Sequence, residues 1–434
     1  MPLSAPRSEE LRRNREDSPL VLVSDATFHG SSELLRDLAG IGLRTMGIDR
    51  LRLPPLLRPR WMRRYRRLPS TSRSEFEQSL LACIEEVQPD LFFPVGRITF
   101  STVLRHRDRL ERSTLCILPP PDSLAVALDK VLAGRVLQSM AIPTPAHLSI
   151  DEAREHLRRT TPGMLVIKPA RVSGGALGVT YADSPATFDR ALASIEESGD
   201  EVHIQEYIPG DPNDVVTTTL LFGRDSRLLS TFSVAKIRQS PGSGGSTVIG
   251  TSIADPGLVD IIRPFFEGLR WWGPAEVEWK RDSRDGQYRV IEINPRFPAY
   301  LRFPMQCGLP FGALAASDAL GKNVADPPAA DYRLGERYLD PVLLLRSIRE
   351  EASLRGWAKA LRAAKVDLRG CGRSFRRLIA DAGPMVARIL SHRAPDPVGL
   401  LAGATPQGPT PPLNGAQWED YREDGAGDSS ITSN

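Results

Sequence analysis

At 434 residues, with 41% hydrophobic and 25% charged side chains, the chain has the balance of a soluble enzyme of two or three domains. A net charge of +3 makes no electrostatic case for nucleic acid, and no apolar run reaches the length of a membrane span. The four cysteines, Cys83, Cys116, Cys307 and Cys371, are far apart, which argues against a zinc module and suits a cytoplasmic protein with reduced thiols.

Residues 1–18 are charged, lack a signal-type apolar core and read as a disordered leader. An apolar run at 20–24 reads as a strand, Asp25–Ser31 as a polar loop, Glu33–Ala39 as a helix and Leu43–Ile48 as a second strand. Another apolar run follows at Asp90–Val95. Strands alternating with helices predict a parallel-sheet α/β domain over 19–122. Within it, Arg50–Arg67 holds eight arginines and no acid. Trp61 and Tyr65 would suit stacking on a nucleic acid, but the run reads as a solvated connection before the next helix.

From 123 to 325 the pattern becomes α+β with antiparallel strands. Strand-like segments lie at Met164–Lys168, Val179–Ala182, Val202–Ile208, Val215–Phe222, Leu228–Ala235, Glu276–Arg281 and Tyr288–Ile293. Trp271-Trp272 reads as core or hinge packing. Residues 326–398 read as a helical extension, its arginines from Arg346 to Arg393 solvated. Residues 399–434, rich in Gly, Pro and polar side chains, read as a disordered tail.

The chemistry concentrates in 275–296. Asp285-Gly286 is a turn signal between two alternating runs. A hairpin centred on Asp285 sets Glu278 opposite Glu292 and Glu276 opposite Asn294. Side chains two apart share a strand face, so all four point one way. Carboxylates directly across a sheet repel, and a divalent cation removes that cost. Glu and Asn oxygens suit Mg²⁺.

Further upstream, a strand ending in Lys168 runs into a loop with Gly174, Gly175 and Gly178. Glycines let backbone N–H groups approach phosphate oxygens, and the lysine adds a positive point charge. By itself the loop serves equally as a flexible hairpin tip; it is not a Walker P-loop. Lys130 stands at a helix start, and the strand at 202–208 ends in Pro209-Gly210.

In this order, ALDK, MLVIKPARVSGGALGV, IQEYIPG and AEVEWKRD…RVIEINPR resemble the ATP-grasp superfamily, and within it the bacterial carboxylate–amine ligases. The resemblance covers roughly 90–320, with a weaker echo in the N-terminal domain, and extends to carbamoyl-phosphate synthetase and biotin carboxylase. It implies an N-terminal α/β domain followed by two α+β lobes clasping ATP. Lys130 and Lys168 would contact the α- and β-phosphates, and the loop of Ser173, Gly174 and Gly175 would close over the triphosphate. Glu206, with the backbone of Tyr207 and Ile208, would form the adenine hinge. Asp214, with Asp211 as competitor, would meet the ribose. Glu278, Glu292 and Asn294 would hold Mg²⁺, or Mn²⁺; Glu276 fits the hairpin face better than the family pattern. Arg296 would stabilise phosphoryl transfer. Lys236 and Arg238 would approach the γ-phosphate or the substrate carboxylate, and Gly242–Ser246 would line the acceptor pocket.

The implied reaction activates a carboxylate as an acyl-phosphate and joins it to an amine, giving an amide, ADP and phosphate. The expected partners are small, amino-acid-like acids and amines, with neither nucleic acid nor membrane; a homodimer is compatible. An ATP-grasp kinase or carboxylase, or a nucleotide-binding module without ligase activity, is the alternative on the same fold.

Overall fold

The structure, a computed structural model, describes residues 18–344 apart from 56–57, 60, 63, 70–71, 160–162, 171–177, 198, 243 and 323–331. The expected leader before 18, the Ser173, Gly174 and Gly175 loop, the Arg346–Arg393 block and the tail from 399 lie outside the described residues.

The first sheet is parallel, in the order β3-β2-β1-β4-β5. It comprises β1 (Leu20–Val23), β2 (Arg44–Asp49), β3 (Arg64–Arg67), β4 (Leu91–Phe93) and β5 (Leu115–Cys116). β1 is LVLV and buried throughout, as a central strand covered on both faces must be. The helix Arg73–Val87 packs Phe76, Leu80 and Ile84 inward. Ser72 caps it by accepting from Glu75 N at 3.1 Å, and Gln88 ends it at a left-handed φ of 45°.

The Arg50–Arg67 run is not a mere connection, because its last four residues are the edge strand β3. Trp61 and Tyr65 pack against the domain core, under the guanidinium groups of Arg36 and Arg58 at 5.9 and 5.1 Å from their ring centroids. They are therefore used internally rather than held out for stacking on a partner.

A small antiparallel sheet follows, in the order β7-β6-β8: β6 (Leu165–Pro169), β7 (Thr180–Ala182) and β8 (Val202–Glu206). In β6, Leu165 and Ile167 face the helices Ile150–Arg159 and Pro185–Glu197, whose Leu157, Phe188 and Leu192 complete the core. Val166 and Lys168 alternate to the other face.

The third sheet has the order β13-β12-β9-β10-β11-β14. Its strands are β9 (Val215–Phe222), β10 (Leu228–Ser240), β11 (Ser246–Ile253), β12 (Gly273–Arg281), β13 (Tyr288–Asn294) and β14 (Arg337–Leu339). Residues 337–339, expected within a helical extension, instead pair with β11. In β12 the alternation divides two tasks. Ala275, Val277 and Trp279 pack on Phe265, Phe266 and Trp271, largely from the helix Pro256–Gly268. Glu276, Glu278 and Lys280 occupy the opposite face. Trp271 is fully buried, and Trp272 donates to Asp318 at 3.2 Å, so both are structural. Among the described residues no helix is long and apolar enough to cross a membrane.

Candidate active site

A cavity of about 360 Å³ opens between the small sheet and the acidic face of β12–β13. Glu276 pairs in register with Asn294 and Glu278 with Glu292. A bulge after Glu278 then shifts the ladder by one, setting Trp279 against Val290. All four oxygen-bearing side chains line the cavity, together with Lys168 and Arg296.

The cations are held by their neighbours. Lys168 Nζ donates to the Ile291 carbonyl at 3.2 Å. Burial holds its ammonium below the usual range, opposed by the carboxylates of Glu292 and Glu278. Lys130 opens the helix Lys130–Ser139, capped by Asp129, and donates to the Pro169 carbonyl at 3.1 Å. Burial lowers its pKa to about 8, with Glu292 opposing. Lys130 lines a smaller adjoining cavity shared with Glu292.

Lys236 is buried and bridges the Gly245 carbonyl at 2.8 Å and Glu278 Oε2 at 2.9 Å. It thereby ties the Gly/Ser loop to the acidic wall. Gly244, Gly245 and Ser246 line the cavity. Arg238 sits at a double register shift between β10 and β11, and Gln239 rather than Arg238 lines the cavity.

Arg296 donates to the Phe297 carbonyl at 3.0 Å and to Asn294 Oδ1 at 3.4 Å, and stands 3.8 Å from Glu276 Oε2. Its Nε is buried without a hydrogen-bond partner among the described residues. Burial pushes the Glu276 carboxyl up, with Arg296 opposing. An orphaned guanidinium donor on a cavity wall suits an anionic ligand.

Glu206, Tyr207 and Ile208 line the opposite end, on the segment leaving β8. The Glu206 carboxylate accepts from Arg284, which reaches back from the β12–β13 turn. Asp211 and Asp214 are not part of the lining. Pro212 between them is, and Lys280 Nζ donates to the Asp211 carbonyl. Lys280 escaped the sequence reading although it continues the two-residue period of Glu276 and Glu278. Tyr181, Gln239 and Tyr300 also line the cavity, and nothing in their local sequence marks them.

Among the described residues no three His, Cys, Asp or Glu side chains gather as a metal cluster. Mg²⁺ does not need one, since it takes one or two carboxylates and completes its shell with phosphate oxygens and water. Glu278, Glu292 and Asn294 are a donor set of that kind.

Beside the site, His147 and His203 meet edge to face at 4.5 Å. His203 is fully buried, and its pKa is lowered to about 2 by burial, then by His147, Lys168 and Lys130. Between about pH 2 and 6.5 the unfolded chain binds a proton that the folded one refuses, so this group makes stability fall as pH drops below 6.5. The slope approaches about 1.4 kcal/mol per pH unit. Denaturant titrations between pH 7 and 5 should show it, and His203→Gln should flatten it; an unchanged slope would assign the acid sensitivity elsewhere.

No protein-family model matches the chain. A D-aspartate ligase of Enterococcus faecium is 25% identical over 211 residues, 45% of this chain and 50% of that protein. The chain spans about half the length, or less, of the curated ligases it matches. The biotin carboxylase domain of Hydrogenobacter thermophilus 2-oxoglutarate carboxylase, solved with MgADP and bicarbonate, superposes with a TM-score of 0.59 at 14% identity. That match covers 74% of this chain and 73% of the other. The L-amino acid ligase of Bacillus licheniformis gives 0.53 at 15%, over 74% and 78%. The chain has the ATP-grasp fold. The ATP-grasp architecture places its two lobes on either side of the cavity, and the parallel domain packs against the larger lobe through a shared core that includes Val23, Phe93, Phe232 and Phe297.

Proposed function

We propose that this ATP-grasp protein is an ATP-dependent, Mg²⁺-using ligase that activates a carboxylate as an acyl-phosphate and joins it to an amine. One observation carries the reading: Lys168, Arg296, Glu278, Glu292 and Asn294, drawn from two sheets, line a single cavity. The similarity to a D-aspartate ligase and the fold of an L-amino acid ligase support amino-acid-like substrates. The MgADP of the carboxylase neighbour supports the nucleotide and the metal; Mn²⁺ would serve as a substitute.

A carboxylate is a poor electrophile, and phosphorylation gives it a leaving group. The protein's part in such a transfer is positioning and charge neutralisation. Lys168 and Lys130 would hold the polyphosphate, and the backbone at Tyr207–Ile208 would hold the base. Glu278, Glu292 and Asn294 would hold Mg²⁺, which when bound neutralises phosphate charge. Lys236 and Arg296 would meet the transferred group. Arg238, behind Gln239, would support that end of β10, and the Gly/Ser loop would exclude water from the activated acid.

Lys168 faces phosphate charge before and during transfer. Lys168→Ala should therefore weaken ATP binding by at least roughly tenfold, the scale of a lost bond to a charged group, and lower kcat as well. Calorimetric titration with ATP checks the first part, and unaltered affinity would remove Lys168 from the nucleotide site. The reading as a whole is tested by screening amino acids and small acids, with and without amines, for ADP release and for the mass of an amide product. ADP release that depends on acid and amine supports it. AMP and pyrophosphate, or no acid-dependent ADP release, would overturn it.

A further inference from the structure

Residues 209–214, which follow the Tyr207–Ile208 backbone out of the small lobe, are fastened on two sides. Along β12 and just beyond it, the Pro209 carbonyl accepts from Ser283 N and the Asp214 carbonyl from Arg281 N, both at 3.0 Å, and the Asp211 carbonyl accepts from Lys280 Nζ. On the other side, the Pro212 carbonyl accepts from Gln239 Nε2 at 2.6 Å. Gln239 is buried near the end of β10, and the other end of its amide is engaged as well, where Oε1 accepts from Gly245 N at 3.3 Å. A carbonyl only accepts and an N–H only donates, so these two partners fix which way the Gln239 amide points.

Gly245 continues the path. Its carbonyl accepts from Lys236 Nζ at 2.8 Å, and the same ammonium reaches Glu278 Oε2 at 2.9 Å. Four bonds therefore run from Pro212 through Gln239, Gly245 and Lys236 to Glu278 on the acidic face. Pro212, Gln239, Gly245 and Glu278 all line the cavity, and Lys236 is buried. A Cβ on Gly245 would collide with the Ser240 carbonyl, so the turn from β10 into β11 closes this tightly only with a glycine there. On its other side the turn reaches the small lobe, since a Cβ on Gly244 would stand 3.2 Å from the Tyr181 hydroxyl. A buried amide bonded at both ends has one favoured orientation, because losing either bond leaves a buried polar group unpaired. A shift of the segment at Pro212 is thus felt at Gly245, and through Gly245 at Lys236.

We propose that Gln239 is a positioning residue: it sets Gly245, and through it Lys236, according to the state of the 209–214 segment, so that nucleotide seated on the Tyr207–Ile208 backbone fixes the Gly244–Ser246 turn. The nucleotide rests on the ligase reading; the path rests on the four bonds.

Hydrogen–deuterium exchange of the full chain, with and without saturating MgADP, tests this. In wild type, MgADP should slow exchange at 206–212 and also at Gly245–Thr247, there by roughly fivefold to tenfold, the scale of one secured hydrogen bond. Gln239→Met keeps a side chain of similar length and loses both bonds, so 206–212 should still respond and the turn should not. Gln239→Glu keeps the acceptor and loses the donor. Its turn should stay protected in the free protein yet cease to respond to MgADP, and this variant decides if Gln239→Met fails to fold. A turn that does not respond in wild type, or that responds equally in a folded variant, overturns the proposal. So does loss of the response at 206–212 and the turn alike, which would make Gln239 a direct nucleotide contact. With an acid found in the ADP-release screen, Gln239→Met should lower kcat by roughly tenfold to 100-fold, the scale of a small misplacement, and leave the KM for ATP within about threefold; an unchanged kcat also overturns it. The two readings fail separately. Acid-dependent ADP release with an indifferent turn removes the coupling and spares the ligase. A Gln239-dependent turn without acid-dependent ADP release does the reverse.

Discussion

Arg296→Ala should lower kcat by roughly 100-fold or more, the scale of losing one preorganised stabilising group, and leave nucleotide affinity within about threefold. Charge on the transferred phosphoryl group develops as it moves, and an interaction made mainly in the transition state appears in kcat rather than in ground-state binding. Arg296 is suited to this because its guanidinium is steadied by the Phe297 carbonyl and Asn294 while Nε remains to be satisfied. The competing account is that Arg296 serves only to neutralise Glu276, 3.8 Å away. The variant would then lose stability and little rate. Calorimetry with ATP, kcat at saturating substrates and thermal denaturation of the same preparation separate the two. A folded variant with near-normal kcat removes Arg296 from catalysis.

Turnover should vanish in excess chelator and return with Mg²⁺ or Mn²⁺. Glu278 and Glu292 are cross-strand partners on one face, where like charges repel and a divalent cation relieves the cost. Lys236 reaches Glu278, but one ammonium does not replace an ion that neutralises both carboxylates and phosphate oxygens. Steady-state assays in EDTA, followed by metal titration, check this. Undiminished turnover in chelator would show that the acidic face has another purpose.

The acidic half of this site was legible because two strong local signals agree. Asp285-Gly286 marks the hairpin and the two-residue period sets the face, while the shift between Glu278 and Trp279 brings Glu278 opposite Glu292. The bulge after Glu278 was not legible, because no local signal marks the change of step between Trp279–Val290 and Glu278–Glu292. β3 was missed because RYRR carries no apolar alternation. Its strand form is imposed by pairing with β2 and by bonds such as Arg67 Nε to the Arg50 carbonyl at 3.1 Å. β11 was hidden behind the Gly/Ser segment before it, whose composition reads as loop while 246–253 pairs on both edges.

The acyl-phosphate step itself is open to direct measurement. An acid found in the screen, labelled with ¹⁸O in its carboxylate, is turned over with ATP and the amine, and the inorganic phosphate is analysed by mass. Attack of the carboxylate on the γ-phosphorus followed by amine displacement carries one labelled oxygen into each phosphate released. That transfer is the predicted result. Unlabelled phosphate accompanied by labelled amide, or label recovered in AMP, would contradict the mechanism.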